Sequence, residues 1–273
     1  MSSVRQPAVA GSFYPGHSRI LARDVSALLA AVPSVRAAVR DGKLPKAVIV
    51  PHAGYIYSGA TAAAAYATLA GGRDVIERVV LLGPVHRVPV LGLALPGNDV
   101  FATPLGNVPV DPAAAALIRT MPQVVTSVAA HAQEHSLEVQ LPFLQSVLGE
   151  FSVVPLAVGD VTAAEIAEVL EVLWGGPETL IVISSDLSHF LPYAAAQAAD
   201  WHTVQRILSL QGPLTQEQAC GGTPINGMLL AAKRHHLQPL LLDLRNSGDT
   251  AGDKDRVVGY ASFAFVEDPG YEH

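Results

Sequence analysis

Short hydrophobic runs rich in β-branched residues recur along the chain and alternate with amphipathic or alanine-rich stretches. The runs are typical of strands buried on both faces of a sheet, and they lie at 46–50, 78–82, 151–158, 180–183, 240–244 and 257–266. The stretches between them predict helices at about 60–70, 111–118, 162–174, 194–210 and 224–235. A region rich in proline and glycine, 83–112, predicts a long loop or a small antiparallel excursion.

Two of the predicted helices begin with explicit signals. Asp111 and Pro112 fit the N-cap and the first helical position, and Thr162 with Glu165 fits a capping box. Because strands and helices alternate, the sequence predicts an α/β fold, a three-layer sandwich around a mostly parallel mixed sheet. We expect a single domain over residues 1–273, and a division into two domains near residue 150 is the alternative.

The composition narrows the class of protein. Half of the 273 residues are hydrophobic and 15% are charged, which excludes an intrinsically disordered chain. A net charge of -7 argues against nucleic acid as the main partner, because phosphate binding needs clustered lysine and arginine. A single cysteine cannot form an internal disulfide. With no secretory signal and no apolar run of membrane length, we expect a cytoplasmic protein with no membrane partner.

Three histidines, His52, His86 and His189, each follow one of the predicted buried strands. A lone histidine in such a place is more often a capping or solvated residue. However, the carboxyl ends of parallel strands meet at one edge of a sheet, where ligands bind in open α/β folds. Imidazole is the commonest metal ligand in proteins, and we therefore take His52 and His86 as candidate ligands.

Cys220 is the candidate third ligand. Two glycines follow it, just ahead of the helix predicted from about residue 224. Glycines let the backbone turn sharply, and a nearby helix N-terminus would lower the pKa of the thiol and favour the thiolate. The alternative is the usual role of a lone free cysteine, a small buried hydrophobic side chain.

The segment 131–138 carries two histidines and two glutamates, and each pair is four residues apart. On a helix each pair would share a face, although the His-Glu-x-x-His pattern of zinc proteases is absent. We interpret Glu134 as an acidic residue at a helix N-terminus. His135 and Glu138 are interpreted as groups that support the metal ligands.

The remaining candidates are less distinctive. Asp186 is expected to do acid–base chemistry with His189 or to orient a ligand histidine. His235 and His236 fit partners of a helix C-terminus. The loop 246–253 either borders the same site or is an exposed turn. Surface positions are expected for His17, His202 and His273.

These motifs resemble those of the Memo family, also described as the Memo-like or system protein B family of prokaryotes. Six short segments match in order and nearly from end to end: Ala-Gly-Ser-Phe-Tyr-Pro at 10–15, Pro-His-Ala-Gly-Tyr at 51–55, Gly-Pro-x-His at 83–86, Glu-His-Ser-Leu-Glu at 134–138, Ser-Ser-Asp-x-Ser-His at 184–189 and Cys-Gly-x-x-Pro-Ile at 220–225. Animal members have Gly-Pro-Ser-His-His, and this chain has Val85 and Arg87 in place of the serine and the second histidine.

The resemblance implies a fold like that of the class III extradiol dioxygenases, which bind non-haem iron. It implies a metal site of His52, His86 and Cys220. Fe(II) is the expected metal, and copper or zinc are the alternatives, because a thiolate is softer than the carboxylate of the dioxygenases. It also suggests a radical-SAM protein as a system partner.

Three functions compete. The first is a metal-dependent redox enzyme acting on an unknown small substrate, with His189 as general acid or base and Asp186 and His135 in support. The second is a binding module for a ligand or peptide without turnover. The third is a zinc hydrolase, because two histidines and a cysteine also make a catalytic zinc set.

Overall fold

The computed structural model describes residues 3–33 and 44–267. Within these ranges the strands are β1 (Val4–Arg5), β2 (Ala47–Val50), β3 (Arg78–Pro84), β4 (Leu93–Leu95), β5 (Val100–Thr103), β6 (Gly106–Pro109), β7 (Val124–Thr126), β8 (Ser152–Val158), β9 (Thr179–Ser184), β10 (His189–Leu191), β11 (Leu237–Asn246) and β12 (Val257–Glu267). The α-helices are α1 (Ser18–Ala30), α2 (Tyr55–Tyr66), α3 (Pro112–Ile118), α4 (Val128–Ala132), α5 (Leu141–Val147), α6 (Ala163–Leu173), α7 (Tyr193–Leu208) and α8 (Gly222–Arg234). Short 3₁₀ turns cover Ala67–Gly72, Glu138–Gln140 and Ser247–Asp249.

A nine-stranded mixed sheet runs in the order β10-β12-β2-β9-β3-β8-β4-β7, and β11 pairs with β12. The four strands at its centre, β2, β9, β3 and β8, are parallel. β12 pairs antiparallel with β2, and β4 pairs antiparallel with β8. The sheet is therefore parallel at its centre, with an antiparallel pair on each side and a further parallel pair, β4–β7, at one edge. It takes strands from both halves of the chain.

Side chains that alternate along the central strands fill two separate cores. Val48 and Leu81 belong to the core under α1, α2 and α5, whereas Ile49 and Leu82 belong to the core under α3, α6, α7 and α8. This alternation is the period of two that a strand imposes, here with hydrophobic residues on both faces. The predicted α/β sandwich of three layers is confirmed.

The region 83–112 is a small excursion, as the sequence suggested. It contains β4, which joins the main sheet, and the antiparallel pair β5–β6. β1 adds to β5 in parallel and completes a three-stranded sheet. The N-terminal segment is thereby held against the middle of the chain.

The predicted helix starts are confirmed where the sequence carried a cap. Asp111 accepts a hydrogen bond from the N–H of Ala114 at the start of α3, and Thr162 with Glu165 forms a reciprocal capping box on α6. The helix expected from residue 60 begins at Tyr55 instead, because the turn after β2 leads directly into it.

The segment 131–138 is not one helix, so neither the two histidines nor the two glutamates share a helix face. α4 ends at Ala132, and a 3₁₀ turn begins only at Glu138. Glu134 lies in the connection between them and is not at a helix N-terminus. Among the described residues, no helix is both long and apolar enough to cross a membrane.

Candidate metal centre

The carboxyl ends of the central parallel strands bring the predicted ligands together. β2 leads to His52, and β3 leads to His86. Cys220 does not follow a strand but lies in the turn before α8. One ligand atom of each residue lies within 4.8 Å of the others. This triad combines two imidazoles and a thiol, the residue types that bind iron, copper and zinc.

His52 is held in a single tautomer by Ser184, the last residue of β9. The ring Nδ1 lies 2.9 Å from the Ser184 hydroxyl oxygen. That hydroxyl donates its only hydrogen to the carbonyl oxygen of Ser136 at 2.6 Å, and therefore it accepts a hydrogen bond from Nδ1 of His52. Nδ1 of His52 carries the hydrogen, and Nε2 presents a lone pair towards Cys220.

Glu134 orients His86 so that its Nδ1 carries the hydrogen, as Ser184 does for His52. One carboxylate oxygen of Glu134 accepts from Nδ1 of His86 at 2.9 Å, and the other accepts from its backbone N–H at 2.6 Å. The carboxylate also accepts the N–H groups of His135 and Ser136. Burial alone would raise the pKa of Glu134, but the hydrogen bonds from His86 outweigh it and lower the pKa to about 2. Nε2 of His86 is therefore the nitrogen left with a lone pair.

Cys220 is a protonated thiol in the metal-free protein. Its sulfur lies 3.2 Å from Nε2 of His52 and 3.7 Å from the carbonyl oxygen of Asp186. Burial, together with the negative charge of Asp186, raises the pKa of the thiol to about 12. The expected lowering by the helix N-terminus is thus wrong, because desolvation of the thiolate is the larger effect.

Asp186 lies beside the triad and is almost fully buried. One carboxylate oxygen accepts the backbone N–H of His52 at 2.7 Å, and the other lies 4.0 Å from Nε2 of the same ring. Burial raises the pKa of Asp186, although the hydrogen bond from His52 opposes this. The carboxylate both fixes the turn that carries His52 and places negative charge beside the ligand atoms.

His189 begins β10, where a bulge interrupts the pairing with β12. Its Nδ1 donates to the carbonyl oxygen of Leu187 at 2.9 Å, which leaves a lone pair on Nε2 in the neutral ring. Phe190, the bulged residue, has a φ of 61° and an exposed side chain. A left-handed φ is costly for a bulky residue, and strain of this kind clusters at functional sites.

His135 packs beside both candidate ligand histidines. Its ring centroid lies 4.5 Å from that of His86 and 5.4 Å from that of His52. Nδ1 lies 3.4 Å from Glu134. Burial, and then the nearby His86, lowers the pKa of His135. A neutral His135 is therefore available next to the triad.

A cavity of about 640 Å³ opens onto two of the three candidate ligands. His86 and Cys220 line it together with neutral side chains such as Gln216 and Thr223. Asp160 is the charged residue in the lining. The cavity is large enough for a small molecule to reach the sulfur and the imidazole.

Among the described residues, His17, His202 and His235 belong to no candidate metal-binding group. His17 and His202 are exposed, as expected, and His273 lies outside the described residues. His235 does more than face a helix end, because it stacks on Trp174 with ring centroids 3.7 Å apart and pairs with Glu171 at 2.8 Å.

Sequence reasoning missed two parts of the site. Ser184 belongs to a quoted motif, but no role was predicted for it. Glu134 was assigned to a helix terminus, although its partner is His86. The adjacent Glu-His in the sequence is the one signal that could have placed this carboxylate near a ligand histidine.

The fold and the site together define a class: a three-layer α/β protein with a His-His-Cys triad at the carboxyl edge of its parallel strands. The chain belongs to the Memo family, because the family model described as "Memo-like protein" matches residues 5–264. It is 35% identical over 279 residues to a "MEMO1 family protein" of Aquifex aeolicus, an alignment that covers 96% of this chain and 99% of that one. A "MEMO1 family protein" of Archaeoglobus fulgidus is also 35% identical, over 278 residues, with the same coverage.

A solved structure has the same fold at low sequence identity. The crystal structure of an uncharacterized protein from Escherichia coli K12 aligns with a TM-score of 0.54 and 16% identity. It covers 81% of this chain and 99% of that protein. At this identity the similarity concerns the fold alone.

Proposed function

We propose that His52, His86 and Cys220 bind one metal ion and that the protein is a metal-dependent redox enzyme, dioxygenase-like, acting on a small substrate. Fe(II) is the first choice of metal, with copper or zinc as alternatives. The observation that carries the proposal is the convergence of three ligand atoms within 4.8 Å, in which both imidazoles present Nε2.

The groups that contact the two candidate ligand histidines also fit a metal site. A metal-bound histidine normally donates its other N–H to a carboxylate, carbonyl or other acceptor. His52 donates to Ser184 and His86 donates to Glu134. The buried carboxylate of Asp186 adds negative charge close to the site, which favours a cation.

A bound Fe(II) with an open position would supply electrons for oxygen chemistry. The chain's own groups supply the rest. The lone pair on Nε2 of His189 can accept a proton from a substrate, since its Nδ1–H is committed to Leu187. The cavity beside His86 and Cys220 would hold the substrate next to the metal ligands.

Metal analysis of anaerobically purified protein tests the proposal. We expect about one metal ion per chain for the wild type and loss of most of it in Cys220→Ala. His202→Ala, at an exposed histidine outside the candidate metal-binding groups, is the matched control and should keep the wild-type content. Equal metal content in the wild type and Cys220→Ala would remove the proposal.

A zinc hydrolase is the second candidate, because the thiolate in the donor set suits zinc as well as iron. The two candidates differ in what each metal form does. The Fe(II) form of a redox enzyme should bind nitric oxide at the open position and give a paramagnetic signal. Hydrolysis of an ester and amide panel by the Zn²⁺ form, lost in Cys220→Ala, would favour the hydrolase instead.

A further inference from the structure

A buried ion pair joins the N-terminal segment to the segment that carries Glu134 and His135. The guanidinium of Arg5 contacts the carboxylate of Glu138, and their side chains are 3% and 0% exposed. The residues are 133 positions apart in the sequence. The proposed metal chemistry uses neither of them.

Glu138 is fully satisfied by the N-terminal segment. Besides Arg5, its carboxylate accepts the N–H of Ala8 at 2.8 Å, the N–H of Val9 at 3.0 Å and the hydroxyl of Tyr14 at 2.6 Å. An ionised carboxylate has room for these four donors. Every contact fixes Arg5 and its flanking segment relative to Glu138.

The rest of the Arg5 guanidinium reaches the connection after α4. Nε donates to the carbonyl oxygen of His131 at 3.1 Å, and Nη2 donates to the carbonyl oxygen of Glu134 at 2.7 Å. The carbonyl oxygen of His131 also accepts the backbone N–H groups of Gln133 and Glu134 where α4 ends, and a cation beside a helix C-terminus is favourable. The planar guanidinium of Arg5 therefore holds, by hydrogen bonds, the carbonyl groups at both ends of the four-residue stretch from His131 to Glu134.

That stretch ends in the carboxylate that orients a candidate ligand. Glu134 accepts both the ring Nδ1–H and the backbone N–H of His86. A shift of the Glu134 backbone would move the carboxylate relative to both donors, because each of its two oxygens accepts one of these bonds, at 2.6 and 2.9 Å. The chain of contacts thus runs from Glu138 through Arg5 and Glu134 to His86.

We propose that Arg5, held by Glu138, is a positioning residue for His86. It acts by fixing the backbone of Glu134, whose carboxylate fixes the imidazole. The consequence for metal affinity rests on the proposed function, but the consequence for the orientation of His86 does not. A lysine could keep the charge beside Glu138, but it lacks the fork that spans the two carbonyls.

Arg5→Lys tests the proposal with two readouts. The first is the Co²⁺ dissociation constant, measured by competition well below the melting temperature. Loss of such outer contacts typically weakens metal binding 10- to 100-fold, and we expect about tenfold here. The second is the tautomer of His86 in the metal-free protein, read from its ¹⁵N chemical shifts. The wild type should show protonated Nδ1 only, and Arg5→Lys should show a mixture.

Arg78→Lys is the matched control. Arg78 is also an arginine paired with a carboxylate, Asp111, at 2.7 Å. It begins β3, whereas His86 follows the other end of the same strand, about 20 Å away for a strand of this length. A general loss of stability would affect both variants, but only Arg5→Lys should change the His86 shifts and the Co²⁺ affinity.

The outcomes separate this proposal from the proposed function. If the wild type binds Co²⁺ and Arg5→Lys matches it in affinity and in His86 shifts, the positioning role is wrong. If the wild type binds no metal, the proposed function fails, and the His86 shifts of the metal-free proteins alone decide the positioning role. If Arg5→Lys does not fold, Glu138→Gln replaces it. That variant keeps the size of the side chain, removes its charge and should change the same readouts in the same direction.

Discussion

The sulfur of Cys220 and Nε2 of His52 are 3.2 Å apart, and in the metal-free protein the sulfur carries the proton between them. Burial lowers the pKa of His52 and raises that of Cys220 to about 12. Nδ1 of His52 is already protonated, since it donates to Ser184. The pair is therefore a neutral thiol beside a neutral imidazole.

This protonation state predicts that metal binding releases a proton. A thiol must lose its proton to become a ligand, and a pKa of about 12 means that Cys220 holds that proton at neutral pH. At pH 7.5 we expect about one proton released per Co²⁺ bound. Titration calorimetry in buffers with different ionisation enthalpies measures this number directly.

Cys220→Ala supplies the control for proton release. It should bind Co²⁺ weakly and should lack both the buffer-dependent heat and the thiolate-to-cobalt absorption band. A wild-type binding enthalpy that is the same in every buffer would contradict the assignment of Cys220 as a ligand.

Ser184→Ala should weaken metal binding by orienting His52 less strictly. The substitution removes the acceptor of the Nδ1–H of His52 and also a partner of the Gln140 side chain. Without it the ring can exchange tautomers or rotate, and we expect Co²⁺ affinity to fall about tenfold. Ser146→Ala is the control, because that hydroxyl donates only to a backbone carbonyl within α5. Equal affinities in the two variants would show that Ser184 does not orient the ligand.

The sequence predicted the elements whose determinants are local. The capping box of Thr162 and Glu165 and the N-cap at Asp111 each involve groups three residues apart, and both form as expected. The hydrophobic runs also predicted the central strands, because a strand buried on both faces needs hydrophobic neighbours but no one particular partner residue.

The finer parts of the site depend on pairings that no local pattern contains. Glu134 fits a helix terminus by spacing, yet its partner His86 is 48 residues away. Likewise, the environment of Cys220 is set by burial and by Asp186, 34 residues earlier. The sequence neighbours of Cys220 predicted a lowered pKa, because they revealed the helix start but not the desolvation.

Gly227→Ala should destabilise the fold without changing the metal site. Gly227 lies in α8 where it crosses α6, and an added Cβ would overlap Cγ2 and Cβ of Ile166. Overpacking of a close-packed interface costs about 1–3 kcal/mol, and we expect about 2 kcal/mol by urea unfolding. The double variant Gly227→Ala with Ile166→Ala should lose less than the sum of the single variants. Strict additivity would mean that the two residues do not share this contact.

His131 should make the protein lose stability in mild acid. Its ring is 1% exposed, Nε2 donates to the carbonyl oxygen of Ala94 at 2.7 Å, and Nδ1 has no hydrogen-bond partner among the described residues. Burial lowers the pKa of His131 to about 4, with a further contribution from the nearby charge of Arg5. Between the ordinary histidine pKa of about 6.5 and pH 4, the unfolded chain therefore binds a proton that the folded protein does not, so stability falls as the pH falls. Over this window the loss from His131 is on the order of 3 kcal/mol.

His131→Gln tests this prediction, because the glutamine can keep the donor to Ala94 but cannot titrate. Its unfolding free energy should stay near the wild-type value at pH 7, and it should fall less steeply than that of the wild type as the pH falls. Urea unfolding of both proteins at intervals from pH 7 to pH 4 measures the difference, which also cancels the contributions of His52 and His135 common to both. Parallel curves for the two proteins would mean that His131 is protonated equally in the folded and unfolded states.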